Sequence, residues 1–388
     1  MDAQAGQGGA PPSMDSRIEV AIIGAGPAGL AAGAALRARG ISSLLIDKAA
    51  DVGSTWRAHY ERLHLHTERA LSGLPGLPIP RAYGKWVARA DVVRYLEEYA
   101  NHHQLKLRLG TSVSRIDRAQ GGFAVITPSG PIAARSVIVA SGYNHTPYLP
   151  DWPGRSTFAG ELIHSASYKN AAPYAGQDAL VVGTGNSGSE IAVDLVEGGA
   201  KSVRVAVRTP PNIVLREVGG VSTQRLGVVL RRLPARLVDV FAGAVQKLTV
   251  GDLRPYGLQP SPRGIYTRAA EGQIPILDVG FVAALKARRL SVVPPVEALD
   301  GSDVLLQGGQ RLRPDVIVAA TGYRRALEGL VGHLDVLDAR GLPAAHGAAS
   351  PPSAPGLYFI GYTNPVSGNL RELAIDARKI ARRLAKAG

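Results

Sequence analysis

A glycine turn placed between a strand and a helix occurs twice in this chain: at Gly24-Ala25-Gly26-Pro27-Ala28-Gly29, and again at Gly183-Thr184-Gly185-Asn186-Ser187-Gly188. Few features constrain a fold as tightly. Ahead of the first turn, Ile18, Val20, Ile22 and Ile23 form a β-branched run. Behind it, the Ala-rich stretch from Leu30 to Arg39 is helix-competent and Gly40 stops it; Ile41 to Ile46 is a second apolar run, closed by Asp47. In this context G-x-G-x-x-G carries a mechanism: the first glycine makes the tight turn, the second lets the backbone approach a pyrophosphate, and the third lets helix and strand pack closely. The helix N-terminus turns free N–H groups and a positive dipole end toward the anion. The second unit repeats the plan, with Leu180-Val181-Val182 as strand, Ser189 to Glu197 as helix, Gly198-Gly199 as stop and Ser202 to Val207 as next strand.

Two such units predict two dinucleotide sites. The residue closing the second strand sets the nucleotide: an acid hydrogen-bonds a free 2′-hydroxyl, and an arginine accommodates a 2′-phosphate. Asp47 stands there in the first unit and Arg208 in the second. The residues thus point to FAD in the first site and NADPH in the second, with a surface role for Arg208 as the alternative.

The predicted fold class is α/β, with two Rossmann-like domains and the NADPH domain inserted in the FAD domain. At 388 residues the chain has room for both. Residues 1–16 read as a disordered tail without a signal-peptide core, and Met14 as an alternative start. The FAD domain takes 17–150, the NADPH domain with a helical insertion takes 151–322, and 323–388 returns to the FAD domain. The helix expected over Asp91 to Asn101 has Asp91 as a plausible cap. Each unit ends on a buried strand and a small-residue turn: Val137 to Ala140 before Ser141-Gly142-Tyr143, and Val316 to Ala320 before Thr321-Gly322-Tyr323. Leu357 to Ile360, Gly361 and a helix over Leu370 to Leu384 would carry the chain back and set a helix N-terminus under the flavin ring.

Composition excludes several classes. There is no cysteine, hence no disulfide scaffold, thiolate metal site or redox-active Cys pair; this fits a cytoplasmic protein. The net charge of +13 comes from scattered arginines, which read as solvated surface rather than a nucleic-acid or membrane patch. The most apolar long stretch, Leu226 to Thr249, is interrupted by Arg231, Arg232, Pro234, Arg236 and Asp239. It reads as an amphipathic helix over a pocket or interface, not a membrane span. No His or carboxylate cluster has metal-ligand spacing. The partners expected are a small-molecule substrate and O2; a homodimer is compatible with the sequence.

Between the glycine turns, Phe158-Ala159-Gly160-Glu161-Leu162-Ile163-His164-Ser165-Ala166-Ser167-Tyr168-Lys169 matches F-x-G-x-x-x-H-x-x-x-Y, the fingerprint of class B flavin-dependent monooxygenases. Tyr168 stands where Baeyer–Villiger relatives carry Trp, so the match is to the flavin-containing and N-hydroxylating branch. From Ile18 onward the chain also resembles the plant YUCCA enzymes, the indole-3-pyruvate monooxygenases of auxin biosynthesis. Tyr60 to His66, Leu233 to Asp239 with Gly251-Asp252 and Tyr256-Gly257-Leu258, and Ile274 to Gly280 carry that resemblance. There are departures. Leu65-His66-Thr67-Glu68-Arg69 lacks the Asn that flavin-containing monooxygenases often place near the flavin C4a, and Ser141 replaces the Thr of the first A-T-G-Y element.

The resemblance implies FAD, NADPH and O2, a C4a-(hydro)peroxyflavin, and oxidative decarboxylation of an arylpyruvate; N- or S-oxygenation and a flavin reductase or NADPH oxidase are the alternatives, with a non-catalytic cofactor-binding protein behind them. The cofactor-binding candidates are Gly24, Gly26, Pro27, Ala28, Gly29, Asp47, Lys48, Thr55, Trp56 and Val113 in the first unit, Gly183, Gly185, Asn186, Ser187, Gly188 and Arg208 in the second, and Gly361. His164 either ties the linker by a hydrogen bond or contacts cofactor. A substrate carboxylate needs a cation, for which Arg216 and Arg225 are candidates, each with a surface role as alternative. His64 and His66 alternate with leucines and read as packing beside the flavin.

Overall fold

The computed structural model describes residues 17–230 and 233–387. The expected tail, Met14, Arg231 and Arg232 lie outside the described residues.

Strand β1 (Ile18–Ile23) enters the first glycine turn, helix α1 (Pro27–Arg37) leaves it, and β2 (Ser43–Ile46) follows. Proline at N1 starts α1 because its missing N–H would have no helical partner there. From Ala28 to Leu36 the helix is buried on every side, and small residues let it lie close to the sheet. Next come α2 (Ser54–Ala58), α3 (Arg89–His102) and β3 (Leu107–Arg108), then a meander of β4 (Arg115–Ala119), β5 (Gly122–Thr127) and β6 (Gly130–Val139). The expected Asp91 cap is not one: Ala88 caps α3, and Asp91 sits in the first turn paired with Arg94 at 3.1 Å. Strand β6 begins seven residues before the Val137 expected from its apolar run, because its first half is a half-buried hairpin arm on β5 without a continuous apolar signature.

The second unit forms a parallel sheet from β7 (Glu161–His164), β8 (Asp178–Val182), β9 (Ser202–Ala206), β10 (Ser291–Val293) and β11 (Val316–Ala319), in the order β10-β9-β8-β11-β7. Helix α4 (Asn186–Glu197) leaves the second glycine turn. Between β9 and β10 the chain builds a helical insertion: α5 (Thr223–Leu230), α6 (Ala235–Thr249), α7 (Ile265–Ala270) and α8 (Phe281–Lys286). The Leu226–Thr249 stretch is two helices rather than one, with Pro234 capping α6. After β11 the chain returns to the first sheet through β12 (Leu357–Phe359), parallel to β6, and α9 (Asn369–Ala385) packs on α1.

The two units are equivalent at the turns. In the first, Ile23 lies opposite Val139 and the chain continues to Ala140; in the second, Val182 lies opposite Ala319 and continues to Ala320. Gly24 (φ +116°) backs onto the Ala140 carbonyl and Gly183 (φ +106°) onto that of Ala320, so a Cβ at either would strike main chain. One core fills the space between α1, α3, α9 and the first sheet. A second, around α4 and α8, takes in Tyr60, Leu63 and Trp56 from the first unit.

Candidate active site

Both glycine turns open into one cavity of about 860 Å³. The N-terminal residues of α1 and α4 are nearly superposable in backbone: Gly26 has φ −80°, ψ −176° and Gly185 has φ −79°, ψ −178°. At both, an added Cβ meets nothing within 4 Å, so these glycines leave open space at two helix N-termini, whose N–H groups and positive dipole end suit an anion. Asp47 is held by its own main chain, Oδ2 accepting from the Ala25 N–H at 2.7 Å and Oδ1 from the Ala49 N–H at 2.8 Å. Its carboxylate lines the cavity beside Lys48. These features fit a dinucleotide at each turn.

The expected site residues fall into three groups. Gly24, Gly26, Pro27, Ala28, Asp47, Lys48, Thr55, Trp56, Val113, Gly185, Asn186, Ser187 and Gly361 line the cavity. Gly29, Gly183 and Gly188 stand behind the turns: a Cβ on Gly29 would collide with the Gly24 carbonyl, and one on Gly188 with that of Gly183. Their role is close packing. Asn186 both lines the cavity and accepts the Leu277 N–H at 2.8 Å, tying the Ile274–Gly280 segment to the second turn. Arg208, His164 and Arg216 lie outside the lining. Arg208 is exposed, two residues past β9.

His164 is engaged on both ring nitrogens. Nδ1 accepts the Ala166 N–H at 3.1 Å, which leaves Nε2 to donate to the Gly322 carbonyl at 3.0 Å. Its ring meets Tyr323 edge-on at 5.0 Å. Burial lowers its pKa, so the neutral form persists. The rest of the fingerprint is also a junction: fully buried Tyr168 donates to Asp194 of α4 at 2.7 Å, and Lys169 reaches the Ala58 carbonyl in the first unit.

Neither expected carboxylate-binding arginine reaches the cavity. The Arg216 guanidinium lies 4.5 Å over the Trp86 ring. Arg225 makes a bidentate ion pair with Glu68, both contacts at 2.7 Å, and with the Ser222 hydroxyl it holds the Glu68 carboxyl down to about 2. Sequence reasoning missed these partners because Trp86 and Glu68 are remote in the chain. His66 lines the cavity, and its Nε2 contacts Glu190, a buried carboxylate on α4. Ser141 keeps the hydroxyl of the Thr it replaces and bonds the Tyr362 hydroxyl at 2.8 Å.

Helices α5, α6 and α7 roof the cavity with Leu226, Leu230, Phe241, Val245 and Ile265, while Asn369, Leu370 and Leu373 bring the N-terminal end of α9 to its wall. Leu237, Val240 and Leu248 of α6 face solvent. Among the described residues no helix is long and apolar enough to cross a membrane, and no group of three His, Asp or Glu is placed to hold a metal ion.

Paired glycine turns on two Rossmann-like units, joined by the Phe158–Lys169 junction over one shared cavity, define a flavin- and pyridine-nucleotide-dependent oxidoreductase. A family model for pyridine nucleotide-disulphide oxidoreductases matches residues 21–233. Indole-3-pyruvate monooxygenase YUCCA1 of Oryza sativa subsp. japonica is 36% identical over 349 residues, covering 88% of this chain and 86% of the relative. A probable indole-3-pyruvate monooxygenase YUCCA1 of Arabidopsis thaliana is 34% identical over 367 residues, covering 93% and 88%. Among solved structures, a flavin-containing monooxygenase from Stenotrophomonas maltophilia superposes with a TM-score of 0.74 at 25% identity, covering 96% of this chain and 99% of that one. The chain belongs to the YUCCA-like flavin monooxygenases of the pyridine nucleotide-disulphide oxidoreductase family, and is an NADPH-dependent enzyme that uses FAD. Without cysteine, it cannot perform the dithiol chemistry in the family's name.

Proposed function

We propose that the enzyme oxidatively decarboxylates an arylpyruvate, such as indole-3-pyruvate or phenylpyruvate, to the arylacetic acid. Keto acid, O2, NADPH and one proton give arylacetate, CO2, water and NADP⁺. The observation that carries the reading is the apolar roof of α5–α7 over a cavity that both glycine turns enter, in a region where the resemblance to the YUCCA enzymes is retained. Bound FAD, once reduced by NADPH, supplies the activation of O2.

The chain's own residues do the rest. Backbone N–H groups at Gly26 and Gly185 would hold the two pyrophosphates, and Asp47 would take the ribose hydroxyls of FAD. Arg208, exposed beyond β9, would meet the 2′-phosphate of NADPH. Leu226, Leu230 and Val245 would exclude water, which protects a reactive oxygen species from unproductive decay. His164 and Tyr168 fix the strand and helix on either side of the junction and move no proton themselves.

A second reading, oxygenation of a neutral amine or sulfide, is favoured by one observation: among the described residues no arginine lines the main cavity. Substrate-stimulated oxygen uptake with identification of product separates the two. Arylacetate and CO2 formed in step with NADPH oxidation support the first; N- or S-oxides, with arylpyruvates inert, establish the second. NADPH converted wholly to hydrogen peroxide with every substrate would leave an oxidase.

A further inference from the structure

We propose that Arg325 forms the carboxylate-binding site of this enzyme, at a second cavity that adjoins the main one; the inference rests on the arylpyruvate reading for the ligand's identity but on the structure for the site. The second cavity, about 470 Å³, shares Tyr143, Asn364 and Pro365 with the main cavity. Its charged lining consists of Arg325, Arg340 and Glu271. Two of these are already matched: Glu271 pairs with Arg263, and Arg340 lies 3.2 Å from Asp338. Arg325 has no carboxylate within ion-pair distance among the described residues. Its guanidinium carbon lies 3.6 Å over the Tyr143 ring, one terminal N–H donates to the Tyr323 carbonyl at 3.0 Å, and its Nε is buried without a partner. Arg225, by contrast, is neutralised by Glu68, and Arg216, over the Trp86 ring, lines neither cavity.

Stacking on Tyr143 fixes the plane of the guanidinium, and a fixed plane with free N–H groups is the geometry that receives a carboxylate in a two-point contact. The backbone supports this assignment. Ala326, next in the chain, lines the main cavity with φ +54°, a left-handed conformation that a non-glycine residue adopts at a cost and that concentrates at functional sites. The strained turn therefore places consecutive residues on the walls of two adjoining cavities. An aryl group fits the apolar main cavity, and an anionic end can pass Tyr143 to the one guanidinium without a counter-ion there.

The test is equilibrium binding to the FAD-loaded enzyme by calorimetry, using indole-3-acetate as an inert aryl carboxylate and indole-3-acetone as its neutral counterpart. Arg325→Met should weaken indole-3-acetate about ten- to a hundredfold, the range of a charge-assisted contact, and change the neutral ketone by less than about twofold. Arg325→Lys, which keeps charge and stem but not the fork, should lie between and guards against a folding defect in the Met variant. Equal losses for both ligands, or unchanged carboxylate affinity in both variants, would overturn the site, as would the same selective loss in Arg216→Met alone. Arylpyruvate turnover by the parent enzyme is scored separately. Turnover with an Arg325-independent carboxylate refutes the site and leaves the substrate, whereas Arg325-dependent binding without turnover keeps the site and removes the substrate.

Discussion

The Tyr60 hydroxyl of the first unit donates to the carboxylate of Glu190, on the glycine-turn helix of the second, at 3.1 Å. His66 occupies the other carboxylate oxygen, and the Glu190 side chain is only 4% exposed. Glu190 therefore joins the two units at the wall of the cavity. Removing it should cost far more than removing one partner, because Tyr60 and His66 would both be left without their acceptor. Glu190→Ala is expected to lose about 3 kcal/mol of stability in denaturant titration, and Tyr60→Phe about 1 kcal/mol. The two losses should not add in the double variant. Additive losses would mean that Tyr60 and Glu190 act separately.

Gly26 and Gly29 are three residues apart and should behave oppositely. A side chain at Gly26 enters open cavity space, so Gly26→Val should fold, melt near the parent's apo form and carry little flavin. A side chain at Gly29 strikes the Gly24 carbonyl, so Gly29→Val should fail at folding itself. Flavin absorbance per protein and the melting temperature separate the two effects. Full flavin occupancy in Gly26→Val would remove the first glycine turn from the cofactor site.

These turns were legible in the sequence because the requirement is local: a positive φ, a close approach and a helix start each select a residue type within six positions. The place of Asp47 on the cavity wall was legible for the same reason, its backbone partners Ala25 and Ala49 belonging to the same βαβ unit. What was not legible depends on residues that folding brings together. Glu190 reads as an ordinary helix residue until Tyr60 and His66 meet it. Arg216 and Arg225 looked available only because Trp86 and Glu68 lie more than a hundred residues away. The first half of β6 gave no signal, since a half-buried hairpin arm has no continuous apolar run.

Selectivity between nucleotides should reside in Arg208. Its side chain is exposed at the end of β9, free to meet a 2′-phosphate through charge-assisted hydrogen bonds worth roughly 1.5–3 kcal/mol. Arg208→Ala should raise KM for NADPH about ten- to a hundredfold and leave NADH nearly unchanged. Steady-state kinetics with both nucleotides checks this, and parallel losses with the two would assign Arg208 to the fold instead.

Acid should destabilise the enzyme through His59. Burial, then the nearby Lys169 charge, lowers its pKa from 6.5 to about 4. Above pH 6.5 the residue is neutral in both the folded and unfolded states and contributes nothing to the pH dependence. As pH falls from 6.5 toward 4, the unfolded chain takes up a proton that the folded protein refuses, so stability drops. Over that window the loss is on the order of 3 kcal/mol. His59→Gln should flatten this part of the stability profile; an unchanged slope in the variant would assign the acid sensitivity to other groups.

The junction at His164 should govern coupling more than reduction. Its two main-chain bonds, to Ala166 and Gly322, hold the end of β7 against the loop after β11, and Ser165 beside it lines the cavity. His164→Ala would leave the Gly322 carbonyl without its donor and let that wall relax, while the two glycine turns stay in place. Flavin reduction by NADPH in stopped flow is expected to slow by less than about threefold, whereas hydrogen peroxide released per NADPH should rise severalfold as water gains access. His164→Gln, which can still donate to Gly322, should recover much of the coupling. If peroxide release stays at the parent level in His164→Ala, the junction serves folding alone; if reduction and coupling fall together and Gln restores neither, the imidazole has a role that its two main-chain bonds do not explain.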